Sequence, residues 1–254
     1  MVYTYDCQDM NDTTARKGQL DFLDERALLT LNFAHCSELV VPSDIQHFPN
    51  LLGMNLKHLT LADWPMDAAV TADYFPNMLF LVFSHVNWSC LPDGILGPLP
   101  NGLQDIELTH TNLSVIPDGL DQHWPGVGTL FIEYSQIQHV PSSLLGIALF
   151  DLSLIGNDIE DASVLASLPP SISRVSLDHN PLRVLPVFNE SSGVFILIFS
   201  AEHTLVRDVP PRYKSNVDGL FLQESPYCSS VSEAVAPAVC DVGYNRADGK
   251  CLLN

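Results

Sequence analysis

One apolar pattern recurs through most of this 254-residue chain and limits its fold more than any other feature. It reads L-x-x-L-x-L-x-x-(N/C/T/S)-x-L-x-x-(L/V/I)-P. Units begin at Leu28, Leu51, Met78, Leu103, Val127, Leu149 and Ile172, so successive starts lie 23, 27, 25, 24, 22 and 23 residues apart. The unit at Leu103 shows the pattern in full, with Ile106, Leu108, Thr111, Leu113, Ile116 and Pro117. A weaker eighth unit covers residues 196–210, and a ninth begins at Val217. Apolar residues at the first, fourth and sixth positions make half of a strand pattern, while those at the eleventh and fourteenth turn the chain back over the same core. A single unit cannot bury its own apolar face, so the core has to come from stacking neighbours. The expected fold is a strand-rich α/β solenoid: a curved arc with one parallel concave sheet, strands about 4.8 Å apart, and cysteine-containing caps. Proline at the fifteenth position suits a chain leaving the sheet, and the Pro/Gly-rich segments beyond it predict an irregular convex side with 3₁₀ turns.

Seven units in register resemble the leucine-rich repeat family, over roughly residues 28–227. Three finer features, namely His35-Cys36, the run V-P-S-x-I-x-x-F-P-N-L-L over residues 41–52, and the Ser-Pro-Tyr-Cys that ends at Cys228, are similar to extracellular leucine-rich repeat proteins of oomycetes. The resemblance implies a surface or secreted setting and names no ligand. The family usually places Asn at the ninth position, where it satisfies buried backbone groups. Here Asn157 and Asn180 keep it and Cys36, Thr111 and Ser135 partly substitute, whereas Leu59 and Val86 cannot, so the early coils are expected to be less regular.

Residues 1–27 read as an N-terminal cap, expected to be incomplete and to continue upstream, and residues 228–254 as a C-terminal cap. Solenoid ends expose core and a sheet edge, so they need covering. In the tail, Cys228 pairing with Cys240 or with Cys251 would anchor it to the last coil; a zinc site lacks C-x2-C spacing and a nearby His. Cys7 and Cys36 would occupy comparable places in adjacent coils if residues 2–7 form a strand, which leaves open a disulfide or two buried thiols. Cys90, between Trp88 and Leu91, reads as a buried structural thiol. Sequons at Asn11, Asn87, Asn112 and Asn189 accompany the six cysteines, a combination commoner in secreted chains. Asn87 and Asn112 stand at the tenth position, expected to face solvent. No signal peptide is visible at the start, and the longest apolar run, residues 194–199, is far too short to span a bilayer.

Thirty acidic against 11 basic residues give a formal charge of −19, yet charged residues are only 16% of the chain and hydrophobic ones 46%. A packed core is therefore compatible with this acidity, while nucleic acid and anionic membranes are expected to be repelled. No catalytic motif and no cofactor or metal motif occurs, and acid pairs in so acidic a chain carry little information. One column stands out. The eighth position reads His35, His58, His85, His110, Tyr134, Gly156, His179 and His203, which is six of nine histidines where about 0.3 would fall by chance. It reads either as a ladder of ring N–H groups donating to neighbouring carbonyls or as a pH-responsive face; paired imidazoles without a third ligand make a poor metal site.

The third, fifth and seventh positions line the concave face. From the third to the sixth unit they place Phe80, Val82 and Phe131 beside Asp105, Glu107, Glu133 and Asp151, with no basic residue. Aromatic anchors within a charged rim suit protein recognition. The reading is an extracellular or cell-surface protein-binding module, not an enzyme, for a basic and apolar protein or peptide. The alternatives are an intracellular regulatory scaffold and a carbohydrate-active enzyme with an acidic concave site.

Overall fold

A computed structural model of the chain describes residues 1–88, 90–188, 193–211, 213–230 and 239–240. Among the described residues eleven strands form the sheet: β1 (Val2–Asp6), β2 (Thr30–Ala34), β3 (Leu39–Val40), β4 (Gly53–Asp63), β5 (Phe80–Asn87), β6 (Asp105–Thr109), β7 (Thr129–Glu133), β8 (Asp151–Ser153), β9 (Arg174–Ser176), β10 (Ile196–Ser200) and β11 (Val217–Phe221). Every pairing among them is parallel and follows chain order, with β3 alone lying off the path against β4. The register aligns the fourth position of every unit, from Leu31 through Met54, Leu81, Ile106, Leu130, Leu152, Val175 and Phe199 to Leu220. All nine of these side chains are buried. Parallel pairing without slippage follows from the side-chain period of two, since a one-residue shift would turn each of them to solvent.

Behind the sheet the chain returns through short 3₁₀ turns, over Ser43–His47, Met66–Ala68, Asp93–Ile95, Ser142–Gly146 and Ser163–Ser167. Four of them follow the fifteenth-position proline. Pro42, Pro65, Pro92 and Pro141 have φ of −76°, −75°, −79° and −76°, and each carbonyl accepts the first turn bond, from Ile45, Ala68, Ile95 and Leu144 respectively. Proline fits there because its fixed φ is the one required and a missing N–H costs nothing before the first bond. Large rings fill the space between sheet and turns: Trp64 and Trp124 are fully buried, and each indole donates to a carbonyl, Ala68 at 2.8 Å and Ile95 at 2.7 Å.

The early coils stay regular by a route that the ninth position does not reveal. Where Leu59 and Val86 replace the usual Asn, the strands run past the turn, so β4 is 11 residues and β5 8 residues long. Leu59 pairs with Val86 and Thr60 with Asn87, and β3 extends this second ladder through Leu39 and Leu61. Backbone partners from the next coil thus satisfy the groups that an Asn side chain serves elsewhere.

At the N-terminal end, β1 continues the sheet and Cys7 is bonded to Cys36, so residues 1–27 share the core through Tyr5, Leu20 and Leu23. At the other end Cys228 is bonded to Cys240, and the Leu222 amide donates to Val239 O at 2.8 Å. Cys251 and Asn189 lie outside the described residues. Cys90 is free and exposed, not buried. It holds the thirteenth position, and Val40, Val115 and Val184 at the same point of other units are exposed as well. Register, which turns this position outward between the buried eleventh and fourteenth, outweighs the usual preference of cysteine for the interior.

Candidate functional site

The edge of the concave sheet carries the histidine column, and its backbone explains its composition. His35, His58, His85, His110, Tyr134, His179 and His203 have φ between 49° and 57°, and Gly156 has φ 68°. The chain enters the left-handed region at the eighth position of every one of these coils, a conformation open to Gly and, more than to most residues, to His. This geometry aims each eighth-position amide at the seventh-position carbonyl of the next coil. His110 donates to Glu133 O at 2.9 Å, Tyr134 to Ile155 O at 2.8 Å, His179 to Glu202 O at 2.9 Å and His203 to Gln223 O at 2.8 Å.

The rings do not form the expected ladder onto backbone carbonyls. They stack. Centroids lie 5.8 Å apart for His35 and His58, 4.5 Å for His58 and His85, 4.5 Å for His85 and His110, and 4.8 Å for His110 and Tyr134. The planes of His85 and His110 are within 4° of parallel. Gly156 ends this run, because the Tyr134 ring occupies the place of its absent side chain: a Cβ there would stand 2.5 Å from Tyr134 Cδ1. His179 and His203 make a second pair, 4.3 Å apart. All six imidazoles are exposed. His35 Nδ1 lies 2.8 Å from Asp6 Oδ2, and that bond, the first of its causes, holds the Asp6 carboxyl below the usual range. Burial pushes the Tyr134 hydroxyl up, with Glu133 and Asp178 adding to the effect, and burial followed by the neighbouring His203 holds His179 below the usual imidazole value.

The concave face divides into two halves. In coils three to five, Phe80, Val82, Asp105, Glu107, Phe131 and Glu133 are half-buried, so the phenylalanines are less open than the sequence predicts. Part of the reason is Phe80, whose ring lies across Gly53 of the preceding coil, so close that a Cβ there would meet Phe80 Cε2 at 2.3 Å. In coils six to eight the face is closed by its own hydrogen bonds. Ser200 donates to Asp178 Oδ1 at 2.6 Å and the Glu202 amide donates to the same oxygen at 2.7 Å, while Ser153 reaches back to donate to Glu133 of coil five. Asp151 is buried and faces the Arg174 guanidinium at 3.8 Å, so the acidic strip is not free of base as the third to sixth units alone suggest. Burial is the main influence on Asp178 and raises its carboxyl above the ordinary range, against the Ser200 bond. Arg174, Ser176, Asp178, Ser200 and Glu202 were legible at the same third, fifth and seventh positions once the count is carried past the sixth unit.

Of the sequons, Asn87 is exposed at the end of β5 and Asn11 is exposed at the end of the short helix Cys7–Met10. Asn112 does not point freely to solvent; it is half-buried and its Oδ1 accepts from the Trp88 amide at 2.6 Å. It does from the tenth position what Asn157 and Asn180 do from the ninth, where they accept from Ile137 and Ile159 at 3.0 Å each. Among the described residues no group of three or more metal-ligating side chains converges, and no helix is long and apolar enough to cross a membrane.

With this geometry in view, no family model matches the chain. Fibromodulin of Oryctolagus cuniculus is 29% identical over 103 residues, covering 40% of this chain and 66% of that protein. Lumican of Rattus norvegicus is 25% identical over 202 residues, covering 77% of this chain and 52% of that protein. Of solved structures, the TLR13–ssRNA13 complex superposes with a TM-score of 0.63 at 18% identity, over 77% of this chain and 28% of that one. The fold is that of the leucine-rich repeat proteins. The chain spans half to two thirds of the length of the curated relatives it matches.

Proposed function

We propose that this leucine-rich repeat arc is a protein-binding module that takes a basic and apolar partner on the open half of its concave face, in an extracellular or cell-surface setting. The observation that carries the reading is the contrast within that face. Phe80, Val82 and Phe131 remain half-buried beside Asp105 and Glu107, whereas Ser153, Ser176, Asp178, Ser200 and Glu202 at the same positions of the neighbouring coils are buried. Apolar surface beside carboxylates, on a sheet with no helix packed over it among the described residues, favours a partner that brings both apolar burial and positive charge. A disulfide at each end supports an oxidising compartment, and the kinship with extracellular repeat proteins of oomycetes belongs to the same reading. Exposed Asn87 is the sequon best placed to carry a glycan there. The fold of the TLR13–ssRNA13 complex shows that this architecture does not by itself reject nucleic acid; here the charge of −19 is what supports its exclusion. The absence of a catalytic motif supports binding without turnover.

The test is affinity for a short peptide of alternating lysine and phenylalanine. Phe131→Ala should weaken binding by more than about 1 kcal/mol, and Glu107→Lys should chiefly slow association and reduce its salt dependence. Affinity untouched by both substitutions would move the binding surface elsewhere.

A further inference from the structure

Stacked imidazoles at the rim of an acidic face are an arrangement whose charge depends on acidity in the range where histidine ordinarily titrates, near pH 6.5. Four of them, His35, His58, His85 and His110, stand on consecutive strands with centroids 4.5 to 5.8 Å apart. Their backbones are fixed in the left-handed region, and the amides of His35 and His110 donate to the seventh-position carbonyls of the next coil, Lys57 at 3.2 Å and Glu133 at 2.9 Å. The rings can therefore rotate but their Cα atoms cannot separate. Neutral rings stack favourably; protonated ones at this spacing repel.

The groups that face the run are few. Asp6 on β1 pairs with His35 at 2.8 Å, Lys57 on β4 precedes His58, and Ser84 Oγ on β5 lies 3.1 Å from His85 Nδ1. On β7 Glu133 precedes Tyr134, the ring that closes the stack, and Asp178 acts on Tyr134 from the coil of β9. Each histidine follows directly on a seventh-position residue of the concave face: Ala34, Lys57, Ser84 and Thr109. Among the described residues Asp6 is the one carboxylate paired with any of the four rings, so charge gained at His58, His85 and His110 is left to act on whatever occupies the face.

We propose that this imidazole run is the acid sensor of the concave face: on acidification it becomes a row of cations that expels a basic partner. The inference rests on the concave face being the partner site. Its reach is local, since salt screens such charges beyond about 8–10 Å, which includes the adjoining open half. The pair of His179 and His203 stands apart, beyond the gap at Gly156, over the half of the face that is already closed.

One measurement on the intact chain tests it. The lysine–phenylalanine peptide should bind about tenfold more weakly at pH 5.5 than at pH 7.5, and the loss should shrink to about twofold or less in His58→Asn/His85→Asn/His110→Asn. Asparagine tolerates the left-handed backbone and carries no charge at either pH. The single variant His85→Asn, the least disruptive to folding, should give an intermediate loss. Binding at pH 7.5 with the same pH dependence in native and variant chains would overturn the sensor and leave the concave site standing. No binding at pH 7.5 in either chain would instead remove the concave site, and the sensor with it.

Discussion

Coils two and three and coils six and seven solve the same problem in two ways. Each must satisfy backbone groups where the chain turns out of the sheet. In the earlier pair the ninth residues are Leu59 and Val86, and the strands simply continue, so that the second ladder is backbone to backbone. In the later pair the strands stop after three residues, and Asn157 and Asn180 insert their amides. Asn180 accepts from Ile159 N at 3.0 Å and donates to Leu154 O at 2.8 Å and Leu177 O at 3.0 Å. The concave faces differ in parallel: half-open and partly aromatic over β5 to β7, hydroxyl-lined and internally bonded over β8 to β10. A repeat sequence can therefore keep one architecture while assigning one stretch to recognition and another to support.

The two solutions should not be interchangeable. The largest effect is expected for Asn180→Ala, which leaves the Ile159 amide and two carbonyls buried without partners and should cost about 3–4 kcal/mol in chemical denaturation. Asn180→Leu should be no better, since the flanking strands of coil seven do not extend to compensate. Val86→Asn places an amide where the backbone is already paired and should destabilise by about 2 kcal/mol; a stabilising result would show that the extended strands are a poor substitute for the ladder. Comparable in size to the loss at Asn180 is the double change Cys7→Ser/Cys36→Ser, which opens a bridge between residues 29 apart and should cost about 3–4 kcal/mol by the loop-closure argument. That loss belongs to the early coils, and limited proteolysis should find the first cuts in residues 1–27.

A smaller effect is expected at the seam between the two regions. Gly156→Ala combines a φ of 68° with a Cβ 2.5 Å from the Tyr134 ring, and should cost about 1–2 kcal/mol while displacing Tyr134 from its stack on His110. Thermal melting would give the first and the ring-current shift of His110 the second.

The repeat, its register, the parallel arc and the convex turns were legible because each rests on apolar periodicity and on proline, which act locally. The column at the eighth position was visible too, but not its cause. Nothing in a sequence marks a left-handed backbone except the residues that tolerate it, and a row of histidines suggests ring chemistry before it suggests φ near 54°. Stacking in place of ring-to-carbonyl bonds follows from that backbone. Cys90 was misread because cysteine usually packs inside, although its thirteenth position matches exposed Val40, Val115 and Val184. Asn112 was misread because the ladder role moved by one residue to the tenth position. The closing of the second half of the face depends on pairs such as Ser200 with Asp178 and Arg174 with Asp151, which bring together residues 22 and 23 apart, and the register alone reveals them.

The smallest expected effect concerns pH. Burial holds His179 below the ordinary histidine value, so the folded chain resists its protonation more than the unfolded chain does. Stability tied to it is complete above about pH 6.5 and is lost as pH falls through the lower folded value. His179→Asn should therefore lose less stability than the native chain between pH 7.5 and pH 5.5, read as the shift in urea midpoint. Asp178 has the opposite sign: its raised carboxyl binds a proton more readily when folded, so mild acidification favours the fold through that group.

The most direct test of the account is an amide NMR footprint of the lysine–phenylalanine peptide on the labelled chain at pH 7.5. Shifts should concentrate at Val82, Glu107, Phe131 and their strand neighbours, with Ser176, Ser200 and the convex 3₁₀ turns unmoved. A footprint centred on the closed half of the face or on the convex side would contradict it.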